Sequence, residues 1–536
     1  MTPDGSGEAG RRRSRRRRIL LAGLALVGVP VAVGIGLHFL RTAADPAQVA
    51  LTIPTLGSSV WPSGGRLFAS NLLLAALATG MALVLAFPVG VYLGRRGRAV
   101  LVALAVSPLV IPPHLSAYIW RFTLEDAARG LGAGAVWASP QRSFAAAAWT
   151  LAAMYWPVVA LPVAVAIRFC GRRVREELAT LAPPRAVFWR AVAPGLLPAL
   201  LGGAGIFFLL ALSNYGVPLM WNVPSQVLAA FAQLEIWRDQ PARAIPTSLP
   251  LILTAAALCG AGLLWLARRP YGFALTAGPR RDAGPARWSA ALTVAVLTAT
   301  VAVPLTSLAT YPGVFRPTRA YWQPGREAFL CGIVFAGLGA TGAVVLGAGL
   351  ARATRRAPRV VRGLIEVIGL FSLFVPAILI CLLLAAGRAG PAWVAAVYDS
   401  PAVFAVAYGL RFFYIPWRVT RSAQRLEGRA YHETERMLGL GPCRRALLAL
   451  GGALGPAVAC AWLIVFALAL GELEIATFLA PAGWQPLSTF LDNQMHYARQ
   501  AGAMQWVLIV VAAELAVVCL AGIAGRLQWR TLRATT

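Results

Sequence analysis

Residues 168–194 read RFCGRRVREELATLAPPRAVFWRAVAP, and residues 418–455 read RVTRSAQRLEGRAYHETERMLGLGPCRRALLALGGALG. Both stretches are rich in arginine, both carry glutamates, and both lie between long apolar runs in a chain with 20 acidic residues. Glu433 follows Glu177 by 256 residues, Pro376 follows Pro112 by 264, and Gly471 follows Ser213 by 258, so separate landmarks agree on one period. A duplicated domain, with the same charged loop in each copy, accounts for that agreement.

The surroundings of the loops define the solvent. Of 536 residues, 58% are hydrophobic and 13% charged, and runs of about twenty apolar residues recur, the length at which a helix crosses a bilayer. Twelve such runs are expected as spans: 19–40, 67–94, 99–120, 144–168, 195–216, 247–267, 288–311, 328–350, 363–386, 401–417, 455–478 and 503–525. The expected fold is therefore an all-α polytopic membrane protein with two parallel six-helix repeats. A tail over 1–18 precedes the first repeat at 19–267. A Gly-, Pro- and Arg-containing linker at 268–287 leads to the second repeat at 288–526, and a tail over 527–536 ends the chain.

Charge orients these spans. The block Arg11–Arg18 contains seven arginines directly before the first run, which places the amino terminus in the cytoplasm, and no small-residue cleavage site follows it. With loops alternating sides from there, 36 of the 49 arginines fall in cytoplasmic segments and twelve in outer loops, and both termini are expected in the cytoplasm. The net charge of +29 thus marks lipid orientation, not a nucleic-acid face.

Composition also excludes chemistry. The chain has no lysine, so it lacks the residue with which a P-loop reaches nucleotide phosphates, and any ATP hydrolysis belongs to a separate subunit. Seven dispersed cysteines and four dispersed histidines show no metal or redox spacing, so neither a metal site nor a cofactor is expected in this chain.

The second loop contains Glu433-Thr434-Glu435-Arg436-Met437-Leu438-Gly439 and then Leu440-Gly441-Pro442. This resembles the EAA loop of binding-protein-dependent ABC importer permeases, Glu-Ala-Ala, three residues, Gly. Glu433 and Gly439 match, Thr434 and Glu435 stand at the alanines, and Gly451-Gly452 stands where the family has Leu-Pro. In the first loop Glu177 and Ala179 match, while Pro183 occupies the Gly position and the distance to Pro194 is about two residues short. The runs Ser213-Asn214-Tyr215-Gly216-Val217-Pro218 and Gly471-Glu472-Leu473-Glu474 are similar to the fifth-helix ends of iron(III), thiamine and polyamine permeases. Pro108 to Pro113 and Val375-Pro376-Ala377 are similar to their third helices. The likeness covers roughly residues 65–526.

The resemblance implies a type I importer fold in the bacterial inner membrane, with two copies of an ATPase subunit that carries ATP and Mg, and an extracytoplasmic solute-binding protein. Glu177, Ala179, Pro183, Glu433, Glu435 and Gly439 would form the ATPase-coupling loops. Asn214, Tyr215, Glu472, Glu474, Pro112 and Pro376 would line the translocation path. Iron(III) is the solute to which the Ser-Asn-Tyr-Gly-Val-Pro run leans, with thiamine and polyamines open.

Five ionisable residues fall in or beside spans, where charge is costly. Glu366 and Arg411 are expected to snorkel to the cytoplasmic interface. Glu472 and Glu474 either attract a cationic solute or bridge to the other half or to a binding protein, and Glu514 is expected to pair within the bundle. The competing architecture is a major-facilitator-like secondary transporter, also twelve spans in two parallel halves. It draws on Gly90-Val91-Tyr92-Leu93-Gly94-Arg95-Arg96-Gly97-Arg98, which lacks that family's acidic residue, and it leaves the paired Glu loops unexplained.

Overall fold

The computed structural model describes residues 61–96, 99–132, 140–169, 193–236, 245–268, 287–315, 319–355, 357–388, 391–426, 454–496 and 500–535. Among these residues every regular element is a helix and there is no strand. That is the solution expected of an apolar chain, because a helix satisfies its backbone groups internally where lipid offers no partner.

The first half begins with α1 (Trp61–Arg96), followed by α2 (Ala99–Val110) and α3 (Pro113–Gly130), then α4 (Pro140–Phe169). It continues with α5 (Ala193–Leu212), the short α6 (Gly216–Met220), α7 (Gln226–Ile236) and α8 (Ile245–Arg268). After the linker come α9 (Arg287–Leu297), a π-helical turn at Thr298–Ala302, and α10 (Val303–Ala309). The second half then repeats the order with α11 (Arg319–Ala353), α12 (Arg359–Phe374), α13 (Ala377–Arg388), α14 (Ala392–Tyr398), α15 (Ala402–Phe412) and α16 (Tyr414–Leu426). It closes with α17 (Leu454–Leu470), the short α18 (Glu474–Leu479), α19 (Leu487–His496) and α20 (Gln500–Thr535).

Five described helical stretches, Gly65–Arg96, Arg142–Arg168, Trp288–Ala309, Tyr321–Ala353 and Gly502–Arg526, are each long and apolar enough to cross a membrane, and three bent pairs raise the number to eight. The spans at 99–120 and 363–386, in which Pro108, Pro112, Pro113 and Pro376 are expected to break helices deep in the membrane, are each divided in two. α2 and α3 meet at 95°, and α12 and α13 at 98°. The cause is local: Pro112–Pro113 and Pro376 have no N–H to continue the ladder, so each helix restarts. Pro108, by contrast, lies within an unbroken α2. The expected spans 195–216 and 455–478 also end early, at Leu212 and Leu470, and turn into α6 and α18. The expected span at 401–417 is divided at Phe413 into α15 and α16. Residues 1–18, the span at 19–40 and most of the linker lie outside the described residues, and α20 continues through the 527–535 tail.

Small residues hold the long helices together. Along α1, Ala75, Ala78, Ala82 and Ala86 are fully buried, and Gly90 comes so near α4 that a Cβ there would sit 2.8 Å from Val163 Cβ. Along α11, Ala336 and Ala340 are buried at the same spacing, and a Cβ on Gly342 would collide with the Ala405 carbonyl oxygen of α15. Lipid gives no hydrophobic reason for helices to associate, so close backbone approach and dispersion supply it. The segment α9–α10 lies after the linker yet packs on the first half. Trp156 Nε1 of α4 donates to Thr300 Oγ1 at 3.1 Å, and the rings of Phe122 and Tyr311 lie 4.7 Å apart.

Candidate functional site

Four helix interruptions converge on one buried layer: the bends at Pro112 and Pro376, and the ends of α5 and α17. Each interruption leaves backbone groups without helical partners, and side chains take them up. In the first half, Asn71 Nδ2 donates to the Leu212 carbonyl at 2.9 Å, and Asn214 Oδ1 accepts from the Val217 N–H at 2.9 Å, capping α6. Asn214 Nδ2 also donates to the Tyr155 hydroxyl of α4 at 3.3 Å.

The second half uses charge at the matching places. Glu474 Oε2 accepts from the Ala377 N–H at 3.2 Å, which caps α13 just after Pro376. Glu472 Oε2 pairs with Arg411 Nε of α15 at 3.4 Å, and Arg411 Nη1 donates to the Val375 carbonyl at 3.4 Å, at the end of α12. Both side chains are nearly enclosed, 11% exposed for Arg411 and 12% for Glu472. Glu472 stands 258 residues after Asn214, and Arg411 stands 256 after Tyr155. The neutral pair Asn214–Tyr155 and the ion pair Glu472–Arg411 thus stand one sequence period apart.

The two pairs meet at the seam between the halves. Tyr155 of the first half lies within electrostatic reach of Glu472, Glu474 and Arg411 of the second. Pro112 of the first bend seats on Gly471, where an added Cβ would come within 2.6 Å of the proline Cγ. Beside them Phe231 bridges Tyr215 and Phe478, with ring centroids 4.7 and 4.8 Å apart. A layer of this kind can rearrange cheaply only as a unit, because breaking one partner of a buried polar pair leaves the other uncompensated.

Comparison with known proteins sets this geometry in a family. The molybdenum transport system permease proteins ModB of Mycobacterium bovis and of Mycobacterium tuberculosis are each 31% identical to this chain over 265 residues, which are 47% of this chain and 93% of the relative. The chain belongs to the family of ABC importer permeases. No family model matches it, and no solved structure does.

In this ABC importer permease the six path candidates Asn214, Tyr215, Glu472, Glu474, Pro112 and Pro376 all lie in the layer just described. The coupling-loop candidates Glu177, Ala179, Pro183, Glu433, Glu435 and Gly439 lie outside the described residues. Arg411 does not snorkel as expected: α15 is packed so that its guanidinium points to the helix breaks, where Glu472 and the Val375 carbonyl receive it. Glu366 keeps an interfacial contact, pairing with Arg418 Nη1 at 2.6 Å and accepting from the Tyr414 hydroxyl at 3.3 Å. Glu514, expected to pair within the bundle, is fully buried beside Gly471, and neither carboxyl oxygen has a hydrogen-bond partner among the described residues. Tyr155 was not singled out from sequence, although the period of the duplication places it opposite Arg411. No group of three or more His, Cys, Asp or Glu able to hold a metal ion occurs among the described residues.

Proposed function

We propose that this chain is a fused double permease: both membrane halves of a binding-protein-dependent, ATP-driven importer, each a six-helix repeat, in the bacterial inner membrane with both termini cytoplasmic. The observation that carries the reading is the likeness to ModB, which takes up nearly the whole relative but 47% of this chain. The second half has, like the first, a long helix followed by a bent pair and later a short helix, α18 in the place of α6, which supports it.

Coupling follows from chain connectivity. α5 and α17 begin directly after the two arginine- and glutamate-rich loops and end at the polar layer. Each is a rod, about 25 Å long for the 17 residues of α17, so a push on its cytoplasmic end displaces Asn214 or Glu472 at the other. Two ATPase copies, carrying ATP and Mg, dock on Glu177, Ala179 and Pro183 in one loop and on Glu433, Glu435 and Gly439 in the other. Closure of the ATPase dimer moves both rods together and opens the seam, while a binding protein delivers the solute from outside.

Iron(III) has no support from the relatives, whose named solute is molybdenum. A molybdenum oxyanion is accordingly the first solute to test. The coupling itself is tested by affinity purification of the full chain from native membranes. An ATPase subunit is expected to accompany the wild type and to be lost from a Glu433→Ala, Gly439→Pro variant of equal membrane abundance. An ATPase retained by that variant, or absent from the wild type, contradicts the proposal.

A further inference from the structure

The carboxylates at the seam suggest a path for cations, but the contacts assign them other duties. Glu474 holds the backbone N–H of Ala377, and Glu472 is matched by Arg411. The under-used group is the guanidinium. It carries five N–H donors in a fixed fork, yet its described partners are one carbonyl and one carboxylate oxygen, both at 3.4 Å, and Nε has no partner within hydrogen-bond geometry. It is also enclosed at the junction of two helix breaks, the place that shifts when α12–α13 and α17–α18 move. At the positions one period earlier the first half carries Tyr155 and Asn214, both uncharged.

We infer that Arg411 is the anion-contacting residue of the translocation path and that Glu472 is its resting counter-ion, which an oxyanion solute displaces when the seam opens. The chemistry fits. A tetrahedral oxyanion presents pairs of oxygens that match the guanidinium fork bidentately, a better fit than the single long contact made by Glu472. In the resting arrangement Glu472 neutralises the arginine, and the incoming oxyanion takes its place on the guanidinium, so Arg411 itself stays paired throughout transit. The inference rests on the reading of the chain as an importer of an oxyanion and adds to it the residue that contacts the solute.

The test separates the two. Cells without their own molybdate uptake express the full chain together with the ATPase that co-purifies with it and a molybdate-binding protein, and accumulation of radiolabelled molybdate is measured. Wild type is expected to accumulate it, Arg411→Lys to retain most of the uptake, and Arg411→Gln to lose at least about tenfold, the scale for removing one partner of a buried charge contact. The deciding variant is Arg411→Tyr with Glu472→Asn, which copies the pair that the first half already uses. If Arg411 served only to hold Glu472, this neutral pair would restore uptake, and the inference would be overturned. The inference predicts that uptake stays at or below about one tenth of wild type while membrane abundance and ATPase association are kept. Wild-type cells that take up no molybdate would overturn the solute class itself, whatever the variants do.

Discussion

Glu474 joins two segments through one carboxylate: its own helix α18 and the restarted helix α13 at Ala377. Removing it by Glu474→Ala leaves the Ala377 N–H without its acceptor, a loss of about 1–3 kcal/mol. The thermal midpoint of the purified chain in detergent is expected to fall clearly below wild type, with Glu474→Gln, which keeps an acceptor, in between. An unchanged midpoint for Glu474→Ala would remove this residue from the architecture of the seam. At this scale the sequence was legible where chemistry is local. Pro112 and Pro376 announce breaks by lacking an N–H, and Glu472 and Glu474 announce polar contacts by being acids near an apolar run. Arg411 was misread because it lies near the end of such a run, where an arginine ordinarily reaches the interface, and its true partner is 61 residues further along the chain.

Among the elements, α1 with α4 and α11 with α15 are the close-packed pairs on which the breaks are mounted. Their contact depends on positions that admit no side chain. Gly342 is one such position, and Gly349, seven residues on along α11, has nothing near its absent Cβ. Gly342→Leu is expected to reduce the amount of folded chain in the membrane severely, since overpacking costs about 1–3 kcal/mol or more where backbone must give way. Gly349→Leu is expected to accumulate normally. Equal accumulation of the two, measured by fluorescence-detected size exclusion, would contradict the α11–α15 packing. The existence of the long helices was readable from hydropathy, whereas the early ends of α5 and α17 were not. The apolar run continues past Leu212 and Leu470 into α6 and α18, and only the side-chain caps from Asn71, Asn214 and Ser488 show where the ladder stops.

Across the whole molecule, the duplication is the feature most legible in the sequence, because period and landmarks need no knowledge of packing. What it could not show is that the copies are chemically unequal: one closes its seam with Tyr155 and Asn214, the other with Arg411 and Glu472. The measurement that tests the central claim most directly is uptake into proteoliposomes containing the full chain with its ATPase, with the binding protein and molybdate outside. Accumulation is expected only with ATP and Mg enclosed, and to be unaffected by collapsing proton and sodium gradients. Accumulation driven by an ion gradient without ATP would contradict the importer and leave the secondary-transporter architecture in its place.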